Sequence, residues 1–286
     1  ISMKTVLTLF ALMVVLPFSI HAQDEDVLHP HGGGKMGSGS SSSSSTPIIL
    51  GIEGGINYNM FSQTITGLLP NSRNEVFKSG SGFSPFFGAF IDIGLSHNFG
   101  IQVKLAYDQK KFGNTQDAII DCEKQGGLVI DAPITAEYSN TVSYLDLTPQ
   151  LRWNITSDFF ALIGPTAHFT MGKGSQTNTE TINSDGDCYF YINTPQQSKT
   201  FQYSSDSVNV TSFRIGAQID LGYKFLIAPS MFLVPKVGFQ YMFTTLTEDN
   251  ASIETSKPLS VGYRDITLTD RMLHSLQFSL GLWFQL

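Results

Sequence analysis

Charged residues are scarce in this sequence, and their scarcity limits what the chain can be. Asp, Glu, Lys and Arg make up 14% of the 286 residues, against about 25% in an ordinary soluble domain. The formal net charge is −7, and Lys and Arg form no cluster along the chain. A basic surface for nucleic acid is therefore excluded, and no nucleic-acid partner is expected.

Cysteine is also scarce, since Cys122 and Cys188 are the two cysteines of the chain. Two thiols are too few for a disulfide-scaffold fold or for a four-cysteine zinc site. We therefore predict no metal site and no cofactor, although the two cysteines can form one bridge.

Long apolar runs are also missing, apart from one at residues 6–18. This run is shorter than the ~20 residues that a spanning helix needs. It follows Lys4 and ends in small and polar residues, as in a signal peptide. We predict a signal peptide over residues 1–22, cut after Ala22, and a mature chain without a membrane helix.

Residues 23–46 contain little that could build a core. They open with Asp24, Glu25 and Asp26, continue through HPHGGG and finish in a serine run from Ser40 to Ser45. Such a composition is typical of a flexible linker. We predict a periplasmic tether here and a barrel domain over residues 47–286.

From residue 47 onward, apolar and polar residues alternate in eight segments. A period of two is expected when one face of a strand meets lipid and the other a polar interior. The pattern predicts an all-β fold, an eight-stranded antiparallel up-and-down transmembrane β-barrel. The predicted strands are 48–61, 83–96, 99–112, 141–155, 159–173, 208–226, 231–246 and 275–286.

The lengths of the connections favour an outer-membrane barrel over a soluble lipocalin-like barrel. Connections after the second, fourth and sixth strands are short, whereas the others are long. Short periplasmic turns that alternate with long extracellular loops are typical of outer-membrane barrels. We predict the bacterial outer membrane, with both chain termini in the periplasm. The four long loops are predicted at 62–82, 113–140, 174–207 and 247–270.

Aromatic residues gather near the predicted strand ends, where barrels carry their interfacial girdles. Outer-membrane lipids are therefore expected partners, and the alternating C-terminal strand is expected to contact the outer-membrane assembly machinery. The predicted girdles are Tyr58, Phe61, Tyr107, Phe169, Tyr241 and Phe243 at the outer rim, and Phe99, Trp153, Tyr223, Phe225 and Phe284 at the inner rim.

Ten charged residues fall on the inward faces of the predicted strands. Eight strands leave an interior that side chains fill, and buried charges need partners to offset their desolvation. We predict a salt-bridged polar plug, with a narrow channel as the alternative. The predicted interior network is Glu53, Asp92, Lys104, Asp108, Asp146, Arg152, Arg214, Asp220, Lys224 and Lys236.

The predicted outer loops hold further candidate residues. Cys122 lies in the second long loop and Cys188 in the third, and these loops leave adjacent strands. Because both would face an oxidising compartment, we predict a disulfide between them. Aromatics of the third loop either extend its hairpin or form a binding surface for a protein or surface ligand. They are Tyr189, Phe190, Tyr191, Phe201 and Tyr203.

No catalytic residue is predicted. His168 and His274 are the histidines of the predicted strands, and no serine or carboxylate motif is recognisable around either. Catalysis of the usual kind needs a nucleophile, a base and an orienting group within reach. We therefore expect no enzymatic activity, with a lipid A-modifying enzyme as the remote alternative.

Three segments carry a resemblance to a known family: SYLDLTPQLRW at 143–153, GIEGGINYNMF at 51–61 and LIGP at 162–165. They resemble the fourth, first and fifth strands of the PorT-like, porin-family outer-membrane barrel domains of Bacteroidetes. The resemblance covers about residues 48–286, and the serine-rich leader and the final Leu286 depart from the family pattern.

Two functions stay open. One is a structural or surface-interaction protein that acts through its extracellular loops, in the manner of eight-stranded OmpA-like and OmpX-like barrels. The other, implied by the PorT-like resemblance, is an accessory barrel of a secretion system that contacts a periplasmic partner through the tether.

Overall fold

The computed structural model describes residues 47–66, 78–123, 129–183, 190–191, 197–208, 210–247 and 267–286. Within these ranges no helix is long and apolar enough to cross a membrane. The predicted signal peptide and tether lie outside the described residues. The strands are β1 (Ile48–Thr66), β2 (Ser79–Gly94), β3 (Phe99–Glu123), β4 (Val129–Asn154), β5 (Phe159–Thr170), β6 (Gly174–Ile182), β7 (Phe190–Tyr191), β8 (Gln197–Ser198), β9 (Thr200–Val208), β10 (Phe213–Tyr223), β11 (Phe225–Ala228), β12 (Met231–Met242) and β13 (Thr267–Gln285).

Eight of these strands close into a ring in the order β1, β2, β3, β4, β5, β10, β12, β13 and back to β1. Every pairing in the ring is antiparallel, and the first strand meets the last from Ile49 opposite Gln285 to Thr66 opposite Thr267. The predicted eight-stranded up-and-down barrel is confirmed. We call the end where β1 begins and β13 finishes the terminal end, and the opposite end the hairpin end.

The alternation of the sequence becomes the two faces of the barrel wall. On β1, Leu50, Ile52 and Ile56 are exposed on the outside, whereas Glu53 and Asn57 are buried inside. The predicted faces are right for all eight ring strands, including β5, where Ile163 and Phe169 face outward and Thr166 and His168 inward. Ala167 also faces outward, but its small side chain is covered where it pairs with Leu147 and Ile215.

The predicted loops at 113–140 and 174–207 are largely wrong, because most of their residues form strands. β3 and β4 stay paired as far as Glu123 opposite Val129. Residues 174–182 form β6, which pairs with the hairpin-end half of β4, and β9 pairs in turn with β6. Beyond the ring the alternation reverses, because the outward face carries polar residues such as Thr115 and Glu137, whereas Ala132, Ile134 and Tyr138 are buried on the other face. We call the extension built from 113–123, 129–141, β6 and β9 the outer sheet.

Other predicted boundaries shift by a few residues for local reasons. Gly172 has φ of 81°, a left-handed conformation that ends β5 before the predicted 173. The predicted strand 208–226 divides between the end of β9, the whole of β10 and the start of β11. The loops predicted at 62–82 and 247–270 shorten, because β1 continues to Thr66 and β13 starts at Thr267.

Cys122 lies on β3 opposite Ile130, rather than in a loop. Cys188 lies outside the described residues, so the disulfide stays a prediction. Among the predicted aromatics of the third loop, Tyr189 also lies outside them. Phe190 and Tyr191 form β7, which pairs with β8, and Phe201 and Tyr203 belong to β9.

The predicted outer girdle is wrong at Phe61. This side chain is 2% exposed and lies inside the barrel, where its ring stacks on Phe112 at 4.6 Å. Alternate residues of a strand share one face, and Phe61 is an even number of positions from the inward Glu53 and Asn57 on β1. The neighbouring Tyr58 has the outward parity and packs against Phe83 on the outside of the wall, with centroids 5.1 Å apart.

Candidate functional site: the barrel interior and the outer sheet

Glu53 is the centre of an ion-pair triad in the barrel interior. Its carboxylate lies 3.2 Å from the Lys104 ammonium of β3 and also contacts the Lys236 ammonium of β12. All three side chains are buried. Gly88 and Gly281 stand opposite Glu53 on the two neighbouring strands, so no side chain blocks the lysines that reach across. The alternation predicted these residues as inward but could not predict which charges meet.

A second ion pair lies nearer the terminal end, between Arg152 of β4 and Asp92 of β2. The guanidinium donates from Nε and Nη2 to the two carboxylate oxygens, both at 2.9 Å, in a bidentate pair. The intervening strand β3 carries Gly100 opposite Arg152. A Cβ atom at Gly100 would lie 2.6 Å from Nη2, so this glycine leaves the path across β3 open.

A continuous chain of side-chain hydrogen bonds joins six of the eight ring strands. Every amide in it except that of Gln150 both donates and accepts, which is how buried polar groups avoid an unpaired state. The bonds are Gln150 to Asp220 at 2.6 Å, Gln218 to Asp220 at 2.8 Å, Gln218 to Gln277 at 2.9 Å, Gln277 to Asn57 at 2.9 Å, Asn57 to Asp108 at 2.7 Å, Lys110 to Asp108 at 2.8 Å and Lys110 to Gln240 at 2.8 Å.

His168 is surrounded by carboxylates, which sequence reasoning missed. Its Nδ1 lies 2.6 Å from Asp146 and its Nε2 lies 3.2 Å from the Thr166 hydroxyl. Asp108 completes a group whose nitrogen and oxygen atoms lie within 4.8 Å of one another. These residues come from three strands, so their proximity depends on the register between strands.

This group has the donors for a metal ion, but its surroundings do not favour one. Lys110 and the Asn57 amide already engage the two oxygens of Asp108. Arg214 stands directly opposite His168 on the next strand. A bound cation would face these two positive side chains, so the donor set is better explained as part of the charge-balanced interior.

The charged residues in the barrel interior differ from the predicted network at one residue, since Lys110 is present in place of Lys224. Nine of the ten predicted charges are buried inside the barrel, but Lys224 is half-buried at the terminal end, 5.8 Å above the Phe160 ring. Lys110, which was not predicted, takes its place in the interior. Both lysines lie at ends of predicted strands, where the alternation is weakest. Five carboxylates therefore face five cations in this region: Glu53, Asp92, Asp108, Asp146 and Asp220 with Lys104, Lys110, Arg152, Arg214 and Lys236.

Two further buried arginine contacts lie toward the hairpin end. Arg214 donates to the carbonyl of Thr244 at 3.2 Å and lies 5.9 Å from the Tyr144 ring. Arg271, which sequence reasoning also missed, donates to the Thr247 hydroxyl at 2.7 Å.

Apolar layers lie at both ends of the network around Glu53, and the Arg152–Asp92 pair lies beside the terminal-end layer, since Asp92 is two residues nearer that end of β2 than Phe90. At the terminal end, Trp283 packs between Phe90 and Phe160, with ring centroids 5.1 and 5.0 Å apart. A second layer fills the hairpin end. The terminal-end layer contains Ile49, Phe90, Phe160, Leu162, Val234 and Trp283, and the hairpin-end layer Phe61, Phe112, Ala136, Tyr138, Val142, Tyr144, Leu246 and Leu273.

The outward face of the outer sheet is lined with hydroxyl and carboxylate groups. In one row across the strands, Thr115 pairs with Glu137, Glu137 with Thr179 and Thr179 with Gln202. The next row consists of Asp117, Thr135, Thr181 and Thr200, in which the Thr135 hydroxyl donates to Asp117 at 3.1 Å. Phe201 and Tyr203 alternate with this face and point to the other side.

A closed ring of antiparallel strands with an apolar outer wall and a filled polar interior defines a transmembrane β-barrel. The chain belongs to the family of the outer membrane protein beta-barrel domain, which it matches over residues 39–248. It is therefore a protein of the bacterial outer membrane, in contact with outer-membrane lipid, as the sequence analysis predicted.

Solved structures of several outer-membrane proteins are similar to this chain. The attachment invasion locus protein Ail of Yersinia pestis is 10% identical, with 82% of this chain and 98% of that chain covered and a TM-score of 0.30. Neisserial surface protein A is 11% identical, with 82% and 96% covered and a TM-score of 0.30. The outer membrane protease OmpT of Escherichia coli is 9% identical, with 85% and 98% covered and a TM-score of 0.31. No curated protein matches the sequence.

Proposed function

We propose that the barrel is a closed membrane anchor that presents the outer sheet to a partner at the cell surface. The observation that carries this proposal is the unbroken continuation of β3 and β4 from a filled barrel into the outer sheet. A rigid sheet fixed to a rigid anchor presents its side chains in one geometry. The hydroxyl and carboxylate face, on Thr115, Glu137, Thr179 and Gln202, is the proposed contact surface.

We further propose that the hairpin end is extracellular and that both chain termini are periplasmic. The connections at the terminal end are short, with 95–98 between β2 and β3 and 155–158 between β4 and β5. Outer-membrane barrels carry their short turns on the periplasmic side. The outer sheet then stands outside the cell.

The closed interior predicts that the purified protein forms no ion channel. Ions would have to pass an apolar layer at each end and an ion-paired network between them. In planar bilayers we expect no sustained single-channel steps from the wild-type protein at neutral pH. Sustained unitary conductance would contradict the closed anchor and support the narrow-channel alternative.

The contact surface can be tested by site-specific photo-crosslinking in intact cells. We expect a photo-reactive residue at Glu137 or Gln202, both exposed on the outer sheet, to give adducts with a surface protein or host ligand. The matched control is Ser157, which is exposed in a terminal-end turn and is expected to give none of these adducts.

A third crosslinking position distinguishes the secretion alternative. If the PorT-like accessory role were correct, a probe at Ser42 in the predicted tether would capture a periplasmic partner while Glu137 and Gln202 captured nothing. That outcome would overturn the surface-interaction proposal.

We propose no enzymatic activity for this barrel. His168 and Asp146 are the side chains most similar to a catalytic pair, but they are 1% and 2% exposed. A substrate would have to pass an apolar end layer to reach them. Lipid A that changed mass only in cells carrying the gene would contradict this proposal.

A further inference from the structure

The outward wall of the barrel has a gap on β1. Ile52 and Ile56 project from this strand and are 56% and 54% exposed, whereas Gly54 between them has no side chain. Its neighbours across the sheet are Leu280 of β13 and Phe87 of β2. The gap is therefore the floor of an apolar groove whose walls are larger side chains. The groove residues, which we call the Gly54 groove, are Ile52, Gly54, Phe87, Ala89, Leu280 and Leu282.

No contact within the protein requires a glycine at position 54. A Cβ atom there would meet only the Phe86 carbonyl oxygen, at 3.7 Å, an ordinary van der Waals distance. Wall glycines such as Gly51 and Gly55 differ, because a Cβ atom at either would overlap a phenylalanine ring or the neighbouring backbone. The space over Gly54 is thus open to the outside and is not used by the fold.

The groove is apolar and long enough for a large part of a hydrocarbon chain. Its lining extends from β13 over β1 and β2 to Leu105 of β3, which is three strand spacings or about 14 Å. Tyr107 lies at its far end and has a hydroxyl, but this group is 2.9 Å from the Ser143 hydroxyl and is already engaged. The groove residues themselves are apolar or glycine, so nothing in the groove would orient a polar ligand.

We propose that the Gly54 groove holds one acyl chain of a membrane phospholipid. The groove lies on the wall that faces lipid in an outer-membrane barrel, so hydrocarbon chains are always next to it. A chain that lies over the diagonal neighbours Gly54 and Ala89 contacts the wall beneath it and has Ile52 and Phe87 on its two sides, whereas a chain against the rest of the wall contacts protein on one side. The difference in contact makes this a retained lipid rather than one that exchanges freely.

Native mass spectrometry of the barrel, released from nanodiscs of phosphatidylethanolamine, tests this proposal. We expect the wild-type protein to keep one phospholipid after partial delipidation. Gly54→Leu fills the groove with a side chain, and retention should fall about tenfold, as for the loss of contact with about two methylene groups. Ala89→Leu narrows the same groove and should act in the same direction.

Ala217→Leu is the matched control. Ala217 faces outward on β10, away from the groove, so enlarging it should leave the retained lipid unchanged. The shift between folded and heat-denatured bands on a gel verifies that every variant is folded. Equal lipid retention by wild type and Gly54→Leu would overturn the proposal. The proposal would also be overturned if the wild-type protein showed the mass of a dimer without a bound lipid, and if Gly54→Leu abolished that dimer.

Discussion

Replacing Glu53 with alanine is expected to lower the free energy of unfolding of the barrel by about 3–5 kcal/mol. The carboxylate pairs with both Lys104 and Lys236, and all three side chains are buried. Its removal leaves two ammonium groups without a partner in the interior. Urea unfolding in detergent micelles, followed by circular dichroism, measures the loss.

Glu137→Ala provides the control for Glu53→Ala. Glu137 is exposed on the outer sheet, and its loss should change the free energy of unfolding by no more than about 0.5 kcal/mol. A triple variant with Glu53→Leu, Lys104→Met and Lys236→Met should recover most of the lost stability, because apolar groups of similar volume replace buried ion pairs well. If Glu53→Ala costs less than about 1 kcal/mol, the lysines have another partner and the interior is not a dry ion-paired plug.

The sequence allowed the faces of the wall to be predicted because two environments differ sharply across each strand. Lipid selects Leu50, Ile52 and Ile56, and the interior selects Glu53 and Asn57. In the outer sheet this order is reversed. Thr115 and Glu137 face outward, whereas the apolar residues of β4, such as Ile134 and Tyr138, face inward. The apolar-outward pattern that identified the ring strands therefore ends, and a paired hairpin was predicted as a loop.

The pairing of the interior charges could not be predicted for a different reason. The odd or even position of a residue along its strand assigns it to the inner or outer face. Its position along the barrel axis relative to a partner depends on the register of every strand between them. Arg152 and Asp92 are 60 residues apart and meet across β3. The same limit hid the carboxylates beside His168, which come from β3 and β4.

The apolar end layers have a consequence for function that a polar plug alone would not have. A network of charges and amides can be hydrated and can pass water or ions when its side chains move. Layers such as Phe90 with Trp283, or Phe61 with Phe112, exclude water from both ends of that network. The ion pairs of Glu53, which lie between the layers, are then in a region of low dielectric constant, where they are strong if intact and costly if broken.

Replacing Trp283 with alanine is therefore expected to destabilise the barrel by about 3–5 kcal/mol, the cost of deleting a large buried aromatic side chain. Trp283 is 0% exposed and packs against both Phe90 and Phe160. The variant leaves a cavity between Phe90 and Phe160 at the terminal end. Urea unfolding followed by circular dichroism, which does not depend on the deleted indole, measures the change.

Phe284→Ala is the matched control, since Phe284 is the next residue of β13 and points outward with 40% exposure. Lipid chains can fill the space that it leaves, so its loss should cost about 1 kcal/mol, less than a buried deletion. The difference between the two variants measures how tightly the terminal end is packed. Equal losses of unfolding free energy in the two variants would mean that Trp283 is not tightly packed, and that the interior is open to water at the terminal end.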